Sequence, residues 1–467
     1  MTFSSQFSAI RSSKAFILFT VCTACLTDGF TYGLVAPVIP FLLQDENLVA
    51  EKNVQISTSL LIAAFSIADF FGAPCCAWYV DRAKSRRVPW YLGIVLITMG
   101  SFLFGFSNNI AMLVCSRVLH GLSSSILYTV GLAVLVDTVG KDEVGQWMGT
   151  AMSCNNIGMI ISPMLGGIVY DKSGKLAVFA IMISLGAFDI ILRLLMNEPP
   201  KKLPSVTVIR ELESAHSDEK SKSNASPVIV STSSISDSDT ASTSQPSIKQ
   251  IPTGRLPGIF TLIRSPRLLA AMYGIFINEC LVASLCAILP LFVHSTFSWT
   301  ALPAGLLFLT IAIPAFAGPL AGWLSDRFGA RWVAVPGFCA ATPLLVLLRL
   351  ADHDTLQQKI LLCALLTCVG GSLIFFLAPL GAECSFVAED VSALSGLDLY
   401  ASSFSLMNCA LAAAGLLGPL AAGGLMDGAG WEWTTVAMGV FCATGVVPCV
   451  LASGGRRRNV VDDDQIA

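Results

Sequence analysis

Charge is what this sequence has least of. Asp, Glu, Lys and Arg make up 13% of its 467 residues, about half the share of a soluble globular chain. Beside 54% hydrophobic residues, that deficit turns the reading away from a soluble protein of several domains and toward a membrane protein. A basic field for nucleic acid is missing, the formal net charge being -3. No Gly-x-x-x-x-Gly-Lys loop occurs, which argues against an ATP-driven pump and against an enzyme of that kind. Cysteine is plentiful, but its 15 copies are odd in number and lie within apolar runs, where they act as small hydrophobes and not as a disulfide framework. No histidine or acid is spaced to complete a metal site with Cys75-Cys76 or with Cys22 and Cys25, so no metal or other cofactor is expected. The N-terminus is polar for about fourteen residues and then apolar for nearly thirty. That run is too long for a signal-peptide core and reads as a first helix that stays.

What is present is a succession of apolar runs, each near the 20 or so residues that a helix needs to cross a bilayer. They lie near 15–43, 57–80, 88–107, 110–136, 146–170 and 176–196, then near 268–294, 301–324, 331–350, 359–382, 398–425 and 433–453. Six and six predict an all-α membrane protein with twelve transmembrane helices in two pseudo-symmetric six-helix bundles. The bundles occupy residues 1–196 and 259–467, with a linker at 197–258. Within it, residues 214–248 are rich in Ser, Thr and Asp and nearly free of aromatics. Such a segment cannot bury enough surface to fold and is expected to be disordered, serving as a spacer or as a phosphorylation target.

Lys and Arg set the expected orientation. With the N-terminus in the cytoplasm, inner segments hold 21 of the 28 basic residues. The outer loops hold only Lys52, Lys172, Lys175, Arg349 and Lys359. Both termini and the linker are then cytoplasmic. The halves also echo each other: AWYVDRAKSRR (77–87) follows the second run as GWLSDRFGAR (322–331) follows the eighth, and SPMLGG (162–167) in the fifth matches GPLAAGG (418–424) in the eleventh. Two similar halves are the sequence sign of a secondary transporter whose site lies between them near the midplane.

These motifs resemble those of the major facilitator superfamily, over nearly the whole chain apart from the linker. GWLSDRFGAR is similar to its loop signature. CSRVLHGLSSS (115–125) resembles the fourth-helix Arg-x-x-Gln-Gly signature, with His120 for Gln. NIGMIISPMLGG resembles the fifth-helix antiporter motif, and DGFTYGLVAPVIP the first-helix motif of the twelve-span drug:proton antiporter branch, which includes the vesicular amine transporters. In that branch the first-helix Asp precedes a Pro by nine residues, as Asp28 precedes Pro37. Asn408 stands where the amine transporters carry an Asp, and their seventh-helix Glu has no match near Cys286. The resemblance implies that helices 1, 4, 7 and 10 line the cavity, that Asp81-Arg82 and Asp326-Arg327 latch helices in one conformational state, and that the protein works by alternating access.

An intramembrane charge costs roughly 3 kcal/mol or more and is a functional candidate by default. Asp28 lies fourteen residues past Lys14, roughly 20 Å along a helix and so near midplane. It either binds protons or substrate, or pairs structurally with a neighbouring helix. Arg117 pairs with a carboxylate, binds substrate or clamps the bundle. Glu279 and Glu383 are the candidates of the second half, Glu383 with snorkelling to the cytoplasmic end as its bland reading. Asp69 couples to protons or hydrogen-bonds within the bundle. Asn155, Asn156 and Asn408 contact substrate or join helices. Asp189 and Arg193 are spaced for a local pair. Gly158, Pro163, Gly166 and Gly167, with Gly418 and Pro419, are expected to permit close packing and bending. The expected function is proton-coupled antiport of a small organic compound such as a drug, toxin, metabolite or amine, by a monomer in the lipid bilayer. The alternatives are an uncoupled facilitator and a non-transporting receptor or scaffold.

Overall fold

A computed structural model of the chain describes residues 11–35, 38–50, 53–83, 85–139, 143–197, 258–299, 301–395 and 398–454. The expected linker falls, apart from its ends, outside the described residues. Among the described residues every regular element is helical. Ten helices among the described residues are long and apolar enough to cross a membrane, and two of these, of 52 and 53 residues, are each long enough to cross twice.

In chain order, α1 (Lys14–Val35) and α2 (Val38–Asp45) make span 1, and α3 (Val54–Arg82), α4 (Arg87–Gly105) and α5 (Ile110–Thr138) make spans 2 to 4. The long α6 (Val144–Leu195) holds spans 5 and 6. After the short α7 (Gly258–Ile263), α8 (Pro266–Phe297) is span 7, α9 (Ala301–Ala315) with α10 (Gly318–Phe328) is span 8, α11 (Ala330–Leu347) is span 9 and α12 (Leu356–Ser395) is span 10. Finally α13 (Tyr400–Thr444), continued by α14 (Val446–Ala452), holds spans 11 and 12.

The hydropathy dips near 171–175 and 426–432 predict loops, yet helix continues through both. One glycine in each makes the turn: Gly174 at φ 71, ψ -174 and Gly430 at φ 78, ψ -179, a backbone region open only to glycine. The ends show that the chain reverses there. Glu143, just before α6, binds Lys14 at the start of span 1, and Leu195 at the far end of α6 accepts from Arg11. Likewise Ala401 at the start of α13 meets Asp81, while Ser453 beyond α14 meets Arg331. Twelve crossings therefore bring both ends of the described chain to the same face, the one rich in Lys and Arg, here called the basic end. Lys14 and the Trp147 indole N–H hold the Glu143 carboxyl below its usual range.

Small residues let the helices of each half touch backbone to backbone, the usual basis of packing where lipid offers no hydrophobic driving force between helices. A Cβ at Gly158 would meet the Leu26 carbonyl, one at Gly166 the Leu34 carbonyl and one at Gly29 the Asn155 carbonyl. Span 1 is thus pressed along span 5. Gly418 lies as closely on Cys280, joining spans 11 and 7, whereas Gly167 faces open space. Pro163 and Pro419 sit inside their helices, each eleven residues before the turning glycine, so the two hairpins share one plan.

The halves meet along two matched seams, span 2 on span 11 and span 5 on span 8. The second seam is built from two facing Gly-x-x-x-Gly pairs, Gly145 and Gly149 against Gly318 and Gly322.

Candidate substrate and proton site

A small chamber lies between the halves. Its lining includes Asp28, Tyr32, Phe65, Asp69, Ser124, Tyr128, Asn155, Glu279 and Asn408, and its volume is about 60 Å³. Span 1 supplies Asp28, and the contact of Gly29 with span 5 sets the rotation that turns the carboxylate inward. The Ser124 hydroxyl of span 4 donates to Asp28 Oδ2 at 3.0 Å. Asp69 enters from span 2 and Glu279 from span 7, each more than nine-tenths buried. The Asn408 side-chain amide of span 11 donates to Asp69 Oδ1 at 2.5 Å, and one residue on, the Cys409 thiol donates to the Phe70 carbonyl at 3.2 Å. The first seam therefore passes through the chamber wall. Three carboxylic groups converge, two from one half and one from the other, and among the described residues no Lys, Arg or His lines the space with them.

The sequence candidates divide on this geometry. Asp28, Asp69, Glu279, Asn155 and Asn408 come together at the chamber. Arg117 is not in the lining: it is buried, with its guanidinium carbon 4.8 Å from the centre of the ring of Phe65, a lining residue. Among the described residues its Nε and Nη1 atoms find no hydrogen-bond partner. Glu383 lies elsewhere, at the basic end, where it binds Arg267 at 2.8 Å and the Gly454 amide at 2.8 Å. The local pair of Asp189 and Arg193 is not formed. Arg193 lies over the Trp90 ring at 4.5 Å, and Asp189 sits beside Thr27, its Oδ1 without a hydrogen-bond partner among the described residues. Helix spacing put these two on one face, but packing of Arg193 against span 3 overrides it.

The basic end is closed by polar contacts between the halves. Asp81, at the end of span 2, accepts from the Ala401 and Ser402 amides at 3.2 and 3.1 Å and from the Ser402 hydroxyl, at the start of span 11. Asp326, at the end of span 8, accepts from the Gly145 and Gln146 amides at 2.9 and 3.0 Å, at the start of span 5. Each half thus places a carboxylate on the open N-terminus of a helix of the other, where unpaired N–H groups and the helix dipole favour negative charge. Arg82 and Arg327 instead lie over Trp78 and Trp323 of their own helices. A third link is buried: Arg86 binds Asp137 at 2.6 Å and, across the halves, Asp398 at 3.0 Å.

Sequence reasoning passed over Arg86, Asp137 and Asp398, because loop charges read as membrane anchors until their partners are known. It also passed over Gly145, Gly149, Gly318 and Gly322, although both Gly-x-x-x-Gly spacings stand in the sequence. Asp81→Ala or Asp326→Ala removes a helix cap worth about 1–2 kcal/mol, expected to shift the closed-to-open ratio by roughly 5–30-fold. The two effects should add, since the sites share no partners. Spin-label distances across the basic end measure the shift.

The profile of the Major Facilitator Superfamily matches residues 21–397. An MFS-type transporter of Schizosaccharomyces pombe is 30% identical over 424 residues, covering 89% of this chain and 91% of its own length. A probable vesicular acetylcholine transporter of Danio rerio is 26% identical over 190 residues, 40% of this chain and 38% of its own. In three dimensions the chain is similar to the human organic anion transporter MFSD10, with a TM-score of 0.65 at 16% identity, covering 94% of this chain and 99% of that one. At that identity the likeness concerns the fold alone.

Proposed function

Since the chain belongs to the Major Facilitator Superfamily, we propose that this membrane transporter is a proton-coupled antiporter of small organic cations, amines and cationic drugs among them. The observation that carries the reading is the chamber: three carboxylic groups from both halves and no basic side chain in its lining. A carboxylate shut away from water is neutralised either by a proton or by a cationic ligand. When both compete for one group, occupancy by one expels the other, which is the elementary step of antiport. The resemblance of residues 28–40 to the amine-transporting branch, and the partial match to an acetylcholine transporter, support the cation. Asn408, where those relatives have an acid, leaves Asp28, Asp69 and Glu279 as the proton-binding set.

On the antiport reading, the chamber volume suits one stage of the cycle. About 60 Å³ holds a few waters, each needing roughly 10–15 Å³ of such space, and excludes an organic molecule. With the basic end joined by Asp81, Asp326 and Arg86, and Gly305 of span 8 close to Met164 of span 5, this conformation fits, on that reading, a carrier without substrate whose acids hold protons. An antiporter passes through that state on its return.

Magnitudes fix the stoichiometry to look for. Exchange of one proton for one monovalent cation is electroneutral and draws only about 1.4 kcal/mol per pH unit, a tenfold gradient. A second proton adds as much again and brings in the membrane potential, about 2.3 kcal/mol per 100 mV. Three acids give room for two protons. We place both termini and the basic end in the cytoplasm and take a monomer as the working unit. In proteoliposomes with an imposed pH gradient, labelled lipophilic cations are expected to accumulate, and collapsing the gradient with an electroneutral proton–potassium exchanger should end accumulation. Unchanged uptake after collapse would leave an uncoupled facilitator.

A further inference from the structure

A second cavity, far from the chamber, lies on the outer flank of the C-terminal half. It has a volume of about 600 Å³ and is lined by Leu324 and Phe328 of span 8, Trp332, Val333 and Pro336 of span 9 and Phe375 of span 10. Every lining residue is apolar, yet Trp332 is 68% and Phe328 48% exposed. The cleft begins at the sharp corner between α10 and α11, where Gly329 alone, at φ 93, joins two helices. Arg327, the chain neighbour of the lining residue Phe328, is exposed, its guanidinium carbon 5.7 Å from the Phe328 ring and 5.5 Å from the Trp323 ring. No ion pair is made by Arg327 among the described residues.

We infer that this cleft binds an anionic phospholipid of the leaflet at the basic end, with an acyl chain in the groove and the phosphate on Arg327. Three features combine in that assignment. The volume falls in the range of ligand pockets, roughly 300–1,000 Å³, and on the flank of a membrane-crossing bundle the surrounding apolar molecules are lipids. Trp323 and Trp332 flank the corner, and tryptophan favours the level of the headgroups. Arg327 offers a planar fork of donors suited to a phosphate oxygen pair, and the cytoplasmic leaflet supplies the anionic lipids. A neutral sterol would fill the groove but leave Arg327 unanswered.

The site adjoins the contact between the halves. Asp326, which caps span 5, immediately precedes Arg327, and Phe328 immediately follows it. Lipid held by Arg327 and Phe328 fixes the last turn of α10 in the pose that presents Asp326 to Gly145 and Gln146. By linkage, a ligand that prefers that pose favours the closed basic end, and closure favours the ligand.

The test uses the full-length protein in nanodiscs of phosphatidylcholine, with or without phosphatidylserine, and native mass spectrometry of retained lipid. The expected result is selective retention of phosphatidylserine. Arg327→Gln should reduce that preference about tenfold, whereas Trp332→Ala should reduce retention of either lipid. On the unmodified protein, phosphatidylserine with brominated acyl chains should quench tryptophan fluorescence more than brominated phosphatidylcholine, and spin-label distances should show a larger closed fraction with phosphatidylserine. Equal retention of the two lipids, an unchanged preference in Arg327→Gln, or cholesterol displacing phosphatidylserine would each overturn the assignment. None of these readouts depends on the transported substrate, so they stand or fall apart from the antiport reading.

Discussion

Asp28→Asn is expected to abolish pH-driven transport, bringing labelled-cation accumulation down to that of empty vesicles, while the protein still inserts and folds. The asparagine amide keeps the shape of the protonated acid, and its carbonyl oxygen still accepts from the Ser124 hydroxyl that now meets Asp28 Oδ2 at 3.0 Å. What it loses is the choice between proton and cation. Folding should not suffer: the structure gives Asp28 no ion pair among the described residues, so no buried partner is left uncompensated. Thermal unfolding should match the unmodified protein within a few degrees. Downhill movement of substrate through a carrier that stays neutral is compatible with this result. Retention of full pH-driven accumulation in Asp28→Asn would remove Asp28 from the mechanism and leave Asp69 and Glu279 to carry it.

The second large effect is expected at the seam. A Cβ at Gly322 would overlap the Gly145 carbonyl oxygen and crowd Gln146, and the next turn carries Asp326. Gly322→Val should therefore hold spans 5 and 8 apart at the basic end and break both amide contacts of Asp326. Overpacking a tight contact costs about 1–3 kcal/mol, roughly a 5–150-fold shift against closure. Neither half needs the contact to fold, because the clash lies between them. The variant should reach the membrane in normal amount, stay open at the basic end by spin-label distance and by labelling with a membrane-impermeant thiol reagent, and fail to complete transport cycles. A closed-state distance distribution like that of the unmodified protein, together with intact transport, would show that the glycine seam does not govern closure.

Much of this architecture was legible in the sequence, for identifiable reasons. Apolar runs of some 20 residues leave a helix little alternative to crossing the bilayer, and a carboxylate such as Asp28 stands out because the surrounding run makes it costly. The partners of these groups were not legible. That Asn408 bonds Asp69, or that Arg117 packs on Phe65, depends on which helices cross and at what height, and single-helix periodicity carries no record of that. Glu383 shows the same limit. Its place on span 10 suggested the cavity, but Arg267 and Gly454 at the basic end claim it. The predicted loop near residue 174 failed for a local reason. Asp171, Lys172 and Lys175 look like loop residues, but they extend the two helices to the membrane surface, and one glycine suffices to turn the chain.

Those single-glycine turns bear on how the protein is made. With no slack between spans 5 and 6, or between 11 and 12, neither member of a pair can wait at the translocation channel while the other settles in lipid. Each pair is therefore expected to settle in the bilayer together, as one hairpin. In the first pair, Asp189 and Arg193 find their surroundings outside the hairpin, at Thr27 of span 1 and Trp90 of span 3. A bulky residue at 174 or 430 would therefore harm biosynthesis before it harmed transport.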